Sequence, residues 1–110
     1  MNFTPGEIVF VLFPFADLMG DKRRPGLVLL DVGDNDIVVA RITGQAARDS
    51  YDLELQEWQQ AGLRLPSVVR VHKPTTIEKG LVQRRLGFLS PRDWERVRER
   101  IRQTCSRVSR

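Results

Sequence analysis

The sequence predicts a small domain of the α+β or mainly β class, with one helix at its C-terminus. Through residues 8–77, short apolar runs rich in β-branched residues alternate with Gly, Pro, Asn and Asp, which is typical of strands and turns. The clearest helix start lies much later, at residue 90. With 110 residues, the chain is expected to form a single domain, residues 1–110, with a modest core that oligomerisation would help to stabilise.

Three apolar runs in the N-terminal part predict strands, at residues 8–13, 27–30 and 37–42. The first run is apolar throughout, which indicates a strand buried on both faces. The sequence Gly-Asp-Asn-Asp at residues 33–36 is typical of a turn, so the second and third strands are expected to form a hairpin. The end of the third strand at Thr43 would then lie near the start of the second, where Arg24 is placed.

The middle of the chain predicts shorter elements. Residues 52–55 alternate polar and apolar side chains, as in a half-exposed strand, and residues 57–61 can form a helical turn that Gly62 ends. Valines within residues 68–71 indicate a further strand, with a short continuation at residues 75–77.

The C-terminal helix has a specific start signal. Ser90 can accept a hydrogen bond from a backbone N–H, Pro91 suits the first helical position, and Asp93 brings an acid to the positive end of the helix dipole. Apolar side chains then recur at spacings of three and four: Trp94, Val97, Ile101, Cys105 and Val108. We expect this stripe to pack on the domain, with Cys105 as a buried structural thiol and both tryptophans in packing roles.

The charge distribution favours an anionic partner. The chain has 18 Lys and Arg against 14 Asp and Glu, a net charge of +4, and 15 of the cations are arginine. Residues 1–83 have a net charge of −2, from 9 cations and 11 anions, whereas residues 84–110 have +6, from 9 arginines and 3 acids. Arginine binds phosphate and carboxylate groups bidentately, so RNA, DNA and an acidic protein all fit.

Residue types that are scarce argue against several kinds of function. One cysteine cannot form an intrachain disulfide, and no segment predicts a signal peptide or membrane span, so a reducing cytoplasm fits. No CxxC, HExxH, P-loop or GxGxxG motif is present, so neither a metal centre nor another cofactor is expected. A catalytic pair of Cys105 and His72 would need a helix residue to meet a strand residue, and we prefer the structural thiol.

The loop of residues 13–25 is the most unusual stretch, because hairpin loops usually have about 2–5 residues. It ends in the cations Lys22, Arg23 and Arg24, followed by Pro25. Proline restricts the residue before it to extended backbone, so the Arg24 side chain leaves the loop in a constrained direction. Taken alone, such a triplet is more often a solvated loop end than an active site.

An arginine beside a threonine suits metal-free cleavage of RNA. The 2′-OH of RNA can attack the adjacent phosphorus, and a guanidinium can stabilise the charge on the phosphoryl oxygens. DNA lacks this hydroxyl. Arg41 fits a phosphate contact or a surface ion pair, and a loop aromatic such as Phe15 fits either the core or a base-stacking platform.

Taken in order, several segments resemble the PemK/MazF family of type II toxin–antitoxin ribonucleases, also called mRNA interferases. The segments cover nearly the whole chain: PGEIV at 5–9, FPFADL at 13–18, Gly20, KRRPGLVLL at 22–30, ARITGQ at 40–45, AGLRLPSVVR at 61–70 and RRLGFLSPRDWERV at 84–97. No single motif is decisive, but the ordered set is specific.

The resemblance implies an SH3-like β-barrel with short helices, a homodimer, and sequence-preferring endoribonuclease activity on single-stranded RNA. The products would be a 2′,3′-cyclic phosphate and a 5′-OH. The family's essential arginine before proline falls on Arg24, and its threonine at the end of the third strand falls on Thr43. A cognate antitoxin, acidic and partly disordered, would occupy the RNA groove.

The resemblance also implies positions that contact RNA. They are the loop at residues 15–23, which matches the region that gates RNA entry and includes Phe15, Asp17, Lys22 and Arg23, and the positions of Gln45 and Lys73. Arg41 is a further candidate contact, because it alternates onto the same side of the strand as Thr43. The chain departs from the family's pattern at Ala16, where Thr is common, and at Gly44, where Ser is common. These departures leave room for an inactive regulatory paralogue, and a non-catalytic gyrase-binding toxin of the CcdB type on the same fold is a second alternative.

Overall fold

The computed structural model describes residues 2–13 and 23–108. These residues form six strands, one short 3-10 helix and one α-helix. The strands are β1 (Glu7–Leu12), β2 (Arg23–Leu30), β3 (Asp36–Thr43), β4 (Asp52–Glu54), β5 (Val68–Glu78) and β6 (Val82–Phe88). The 3-10 helix covers Lys79–Leu81 and the α-helix, α1, covers Pro91–Val108.

All six strands belong to one sheet, in the order β4-β5-β3-β2-β1-β6, and every neighbouring pair is antiparallel. The predicted hairpin of the second and third strands is confirmed as β2 and β3. The mainly β class with a C-terminal helix is also confirmed. The sheet is not hydrogen-bonded into a closed barrel, however, because β4 and β6 stand at opposite ends of the strand order within the described residues.

Two strands differ from the sequence-based expectation. No strand was predicted at Val82–Phe88, yet β6 pairs along β1 from Glu7 to Val11. The two pieces predicted around residues 68–77 form one strand, β5, which is irregular in the middle: its partner on β3 changes from Ala40 at Pro74 to Ile42 at Val69. Proline donates no hydrogen bond to a ladder, so such an irregularity is where it is tolerated.

Successive side chains of the strands point into two different hydrophobic cores, one on each face of the sheet. Ile8 belongs to the cluster that also contains Val97 of α1, whereas Val9 belongs to the cluster that contains Phe3 and Phe13. Successive side chains of a strand point to opposite faces, so β1 is buried on both sides, as its unbroken apolar run predicts. Trp58 and Trp94 pack against the first cluster, which confirms their packing roles.

The start of α1 is tied to the chain segment after β4. The Asp93 N–H donates to the Ser90 hydroxyl at 3.1 Å, which confirms the predicted cap. The fully buried Asp93 carboxylate accepts the backbone N–H groups of Gln56 and Glu57, at 3.1 and 2.8 Å, and a hydrogen bond from Arg96. One acid therefore joins two regions that are far apart in the sequence.

The expectation of a buried Cys105 is wrong, because its side chain is exposed. Burial decreases along the apolar stripe, from the fully buried Val97 to the partly buried Ile101. A helix of 18 residues is about 27 Å long, and only its first three turns contribute to the core cluster. In the described part of the chain, no helix combines the length and apolarity that crossing a bilayer requires.

Candidate functional site

The candidate site lies at the end of the hairpin where β2 begins and β3 ends. Pairing between these strands places Gly26 opposite Arg41, and Arg24 and Thr43 lie two residues beyond that pair. Both line one cavity of about 330 Å³, which confirms the expectation that the two ends meet. The cavity combines polar residues, Arg24, Thr43, Arg64, Ser67 and Arg84, with apolar ones, Phe10, Pro25, Ile42, Leu63, Leu65 and Leu86.

Arg24 is part of β2, which begins four residues earlier than the sequence predicts. It pairs with Val11 of β1, and the following Pro25 pairs with Phe10. The Arg24 guanidinium donates one hydrogen bond through Nη1 to the backbone oxygen of Arg23 at 2.8 Å. The Arg24 side chain is exposed, and a guanidinium has five N–H donors in a planar arrangement that suits phosphate oxygens.

The Thr43 hydroxyl has an orientation set by its own strand end. Its Oγ1 accepts the backbone N–H of Gln45 at 3.2 Å, a hydrogen bond that closes a short turn after β3. Because Oγ1 accepts this hydrogen bond, the hydroxyl O–H can still be donated in a hydrogen bond to another group. The turn thus holds a hydroxyl donor at the edge of the cavity that Arg24 also lines.

Arg84 and Arg64 also line the cavity, and neither of them was assigned to the site from the sequence. Arg84 stacks over the Phe10 ring, with Cζ at 5.5 Å from the ring centroid, and it pairs with Phe10 across β1 and β6. None of the described residues that line this cavity is acidic. Arg24, Arg64 and Arg84 together give the described lining a positive charge, which suits an anion such as a phosphodiester.

The other predicted RNA contacts lie outside this cavity or outside the described residues. The Arg41 guanidinium stacks over Phe13 at 5.7 Å, and the Gln45 side chain accepts a hydrogen bond from Arg48 at 3.0 Å. Arg23 and Lys73 are exposed, and neither lines the cavity. The remaining three predicted contacts fall in the undescribed stretch 14–22: Phe15, Asp17 and Lys22. Ala16, one of the departures, falls there too.

The fold brings together three side chains that could ligate a metal and that the sequence keeps apart. The potential ligand atoms of Asp49, Asp52 and His72 lie within 4.8 Å of one another. Asp52 is buried, contrary to the predicted half-exposed strand, because its carboxylate accepts the Arg48 N–H at 2.9 Å. Its other oxygen lies 3.7 Å from Arg70 Nε, and this positive charge opposes a cation at the same place.

Comparisons with known proteins agree with the fold and give the family. No curated protein sequence matches. Three solved structures are similar over at least 91% of this chain and 96% of their own. A mycobacterial endoribonuclease in complex with its cognate antitoxin has a TM-score of 0.77 at 13% identity, covering 96% of each chain.

The second structure is the Mycobacterium tuberculosis toxin MazF-mt6, with a TM-score of 0.74 at 22% identity over 91% of this chain and 96% of that one. The third is MazF from Deinococcus radiodurans, with a TM-score of 0.72 at 19% identity over 96% and 99%. The model of one family matches residues 4–105, which is nearly the whole sequence. The chain therefore belongs to the family of PemK-like, MazF-like toxins of type II toxin–antitoxin systems.

Proposed function

We propose that this toxin is an endoribonuclease that cleaves single-stranded RNA by attack of the substrate's own 2′-OH. The observation that supports this most directly is the cavity at the open end of the β2–β3 hairpin, where Arg24 and Thr43 lie together. Arg24, Arg64 and Arg84 are among the described residues that line it, and their positive charge attracts a phosphodiester.

The reaction requires charge stabilisation and control of one proton. The 2′-oxygen forms a bond to phosphorus while the bond to the 5′-oxygen breaks, giving a 2′,3′-cyclic phosphate and a 5′-OH. The proton lost by the 2′-OH is balanced by the proton that the leaving 5′-oxygen gains. Because the nucleophile is part of the substrate, no metal-activated water is needed.

Arg24 and Thr43 have separate roles in this mechanism. The Arg24 guanidinium donates hydrogen bonds to the phosphoryl oxygens, which gain negative charge in the transition state. The Thr43 hydroxyl is already oriented by the Gln45 N–H. It donates a hydrogen bond to a phosphoryl oxygen or orients the 2′-OH. Arginine has a pKa above about 12, so its role is electrostatic rather than that of a general base.

RNA on either side of the cut would extend from the cavity onto the neighbouring surface. Arg41, Gln45, Lys73 and Arg23 are the described residues assigned to RNA contact, and the loop at Phe15, Asp17 and Lys22 would contribute as well. We also assign a homodimer and an acidic, partly disordered antitoxin. The similar mycobacterial endoribonuclease is in complex with its antitoxin, and an acidic segment would complement the three arginines of the cavity.

The test is incubation of the purified protein with a long single-stranded RNA in EDTA, followed by mapping of the fragment ends. We expect discrete cuts with cyclic-phosphate ends and no cleavage of matched DNA. Arg24→Ala should reduce the rate by at least about 100-fold, the usual effect of removing a transition-state donor. Arg98→Ala, an exposed helix arginine paired with Glu95, is the matched control and should cleave normally.

Three other outcomes of this assay would contradict the proposed function. Cleavage that EDTA abolishes, or that Arg24→Ala leaves intact, would contradict the mechanism. Absence of cleavage on several long RNAs would point to a toxin that acts by binding, and gyrase inhibition would then be the next assay.

A further inference from the structure

Leu65 is a large apolar side chain placed at the candidate site. It lines the same cavity as Arg24 and Thr43 and is 51% exposed. We propose that Leu65 forms a wall against which one nucleobase next to the cleaved phosphate packs, and that it thereby determines part of the base preference. This inference rests on the proposed function, because it concerns how the same site selects its RNA.

Gly44 allows Leu65 to occupy this position. A Cβ added to Gly44 would lie 2.6 Å from Leu65 Cδ1, closer than real side chains come. The φ of Gly44 is not positive, so space rather than backbone conformation accounts for the glycine. The apolar Leu65 side chain thus lies beside position 44, directly after Thr43.

The turn that presents Leu65 is held at both ends. The Ser67 hydroxyl donates to the Leu65 backbone oxygen at 2.8 Å, and the Ser67 backbone oxygen accepts the Leu55 N–H at 2.9 Å. At the other end, Gly62 lies directly against the backbone of Leu86 in β6. Because the backbone of the turn is held, Leu65 is presented at a defined position and the turn itself need not be ordered on binding.

The composition of the cavity favours a nucleobase over other groups. Its volume of about 330 Å³ lies at the lower end of the range for small-ligand pockets, roughly 300–1,000 Å³. Leu65 offers exposed apolar surface for the flat face of a base, as apolar and aromatic side chains do in other base pockets, and the buried Leu63 and Ile42 lie in the same lining. Arg64 and Arg84 lie in the same lining and suit the phosphates on either side.

The experiment compares base preference rather than rate alone. Wild type, Leu65→Ala and Gly44→Ala cleave a pool of RNAs with randomised positions, and sequencing of the fragment ends gives the bases around each cut. We expect Leu65→Ala to change the ratio of preferred to non-preferred base by about 10-fold at one position, since the fit of one apolar group in a pocket discriminates between substrates by roughly 10–200-fold. Gly44→Ala should change the same position, because it displaces Leu65.

Val32→Ala is the matched control, since Val32 is another exposed apolar side chain, outside the cavity lining. It should leave the preference unchanged. Circular dichroism and thermal melts establish that each variant is folded; Leu65→Met, which retains an apolar side chain of similar volume, should keep most of the wild-type preference.

The outcomes separate this inference from the proposed function. If wild type cleaves RNA and Leu65→Ala keeps the wild-type preference, the inference is overturned while the function stands. If Leu65→Ala instead weakens only binding of an acidic antitoxin peptide, Leu65 belongs to a protein interface and the inference is again overturned. If wild type cleaves no RNA, anisotropy measures how tightly each protein binds short RNAs of each base. Equal base selectivity of wild type and Leu65→Ala in this binding assay overturns the inference.

Discussion

Asp93→Ala should destabilise the fold strongly, although position 93 lies on a surface helix. The carboxylate is fully buried and accepts two backbone N–H groups, from Gln56 and Glu57. Alanine would leave both donors without their acceptor. Each hydrogen bond to a charged group is worth about 1.5–3 kcal/mol, so the two together give a loss of about 3–6 kcal/mol.

That loss is large compared with the total stability of a small domain, about 5–15 kcal/mol. Urea denaturation followed by tryptophan fluorescence measures it, because Trp58 and Trp94 both pack against the core cluster that includes α1. Glu99→Ala is the control: Glu99 pairs with Arg102 on the exposed side of the helix, and exposed pairs contribute about 0–1 kcal/mol. If Asp93→Ala costs less than about 1 kcal/mol, the carboxylate does not join the helix to the 56–57 segment as argued.

Three further predictions concern chemistry, pH and backbone packing. Thr43→Val should reduce RNA cleavage by about 100-fold or more, whereas Thr43→Ser, which keeps the hydroxyl, should stay within about 10-fold of wild type in initial rate. The pKa of Asp31 is lowered from 3.8 to about 2, chiefly by the hydrogen bond from the Phe3 backbone N–H. This group therefore stabilises the fold above pH 4 and loses its contribution as the pH falls towards 2, so thermal melts of Asp31→Asn should vary less across that interval. Gly62→Ala should be destabilising in urea by more than Gly33→Ala, because both glycines have positive φ, near 90°, but only the Gly62 site lacks space for a Cβ.

The parts of the fold that the sequence predicts are those whose signals are local. Residues 27–42 contain two apolar runs separated by turn residues, and they form the β2–β3 hairpin. The meeting of Arg24 and Thr43 follows from that hairpin without any knowledge of the rest of the chain. The cap of Ser90 on Asp93 is equally local, because its donor and acceptor lie three residues apart.

The parts that the sequence does not predict depend on contacts between distant segments. β6 contains Arg84, Arg85 and Gly87, which are poor strand signals, and it becomes a strand because β1 pairs with it. The place of Arg84 in the cavity follows only once its register opposite Phe10 is known. The second role of Asp93, as acceptor for residues 56–57, likewise depends on how α1 docks.

The sheet stays open and Cys105 stays exposed because two elements are shorter than the sequence pattern suggests: the edge strand β4, and the core cluster beneath α1. A closed barrel would require hydrogen bonds between β4 and β6, but β4 has only three residues and, among the described strands, pairs only with β5. Cys105 keeps the helical spacing of the apolar stripe, yet the core cluster on that face ends at Ile101. Periodicity therefore identifies which face of a helix is apolar, but not how far the domain extends beneath it.

The candidate site is assembled from two structural units rather than from the hairpin alone. The hairpin supplies Arg24 and Thr43, whereas the segment 62–67 and β6 supply the wall and the remaining arginines. The segment 62–67 and β6 approach each other closely through backbone at Gly62 and Gly87. A Cβ on Gly87 would lie 2.6 Å from the Ala61 oxygen, and a Cβ on Gly62 would lie 2.3 Å from the Leu86 oxygen. Because Leu65 follows Gly62 by three residues, we expect a side chain that separates the segment from β6 to shift Leu65 as well. The glycines at this contact thus link the stability of the domain to the shape of its cavity, and Gly62→Ala should alter both together.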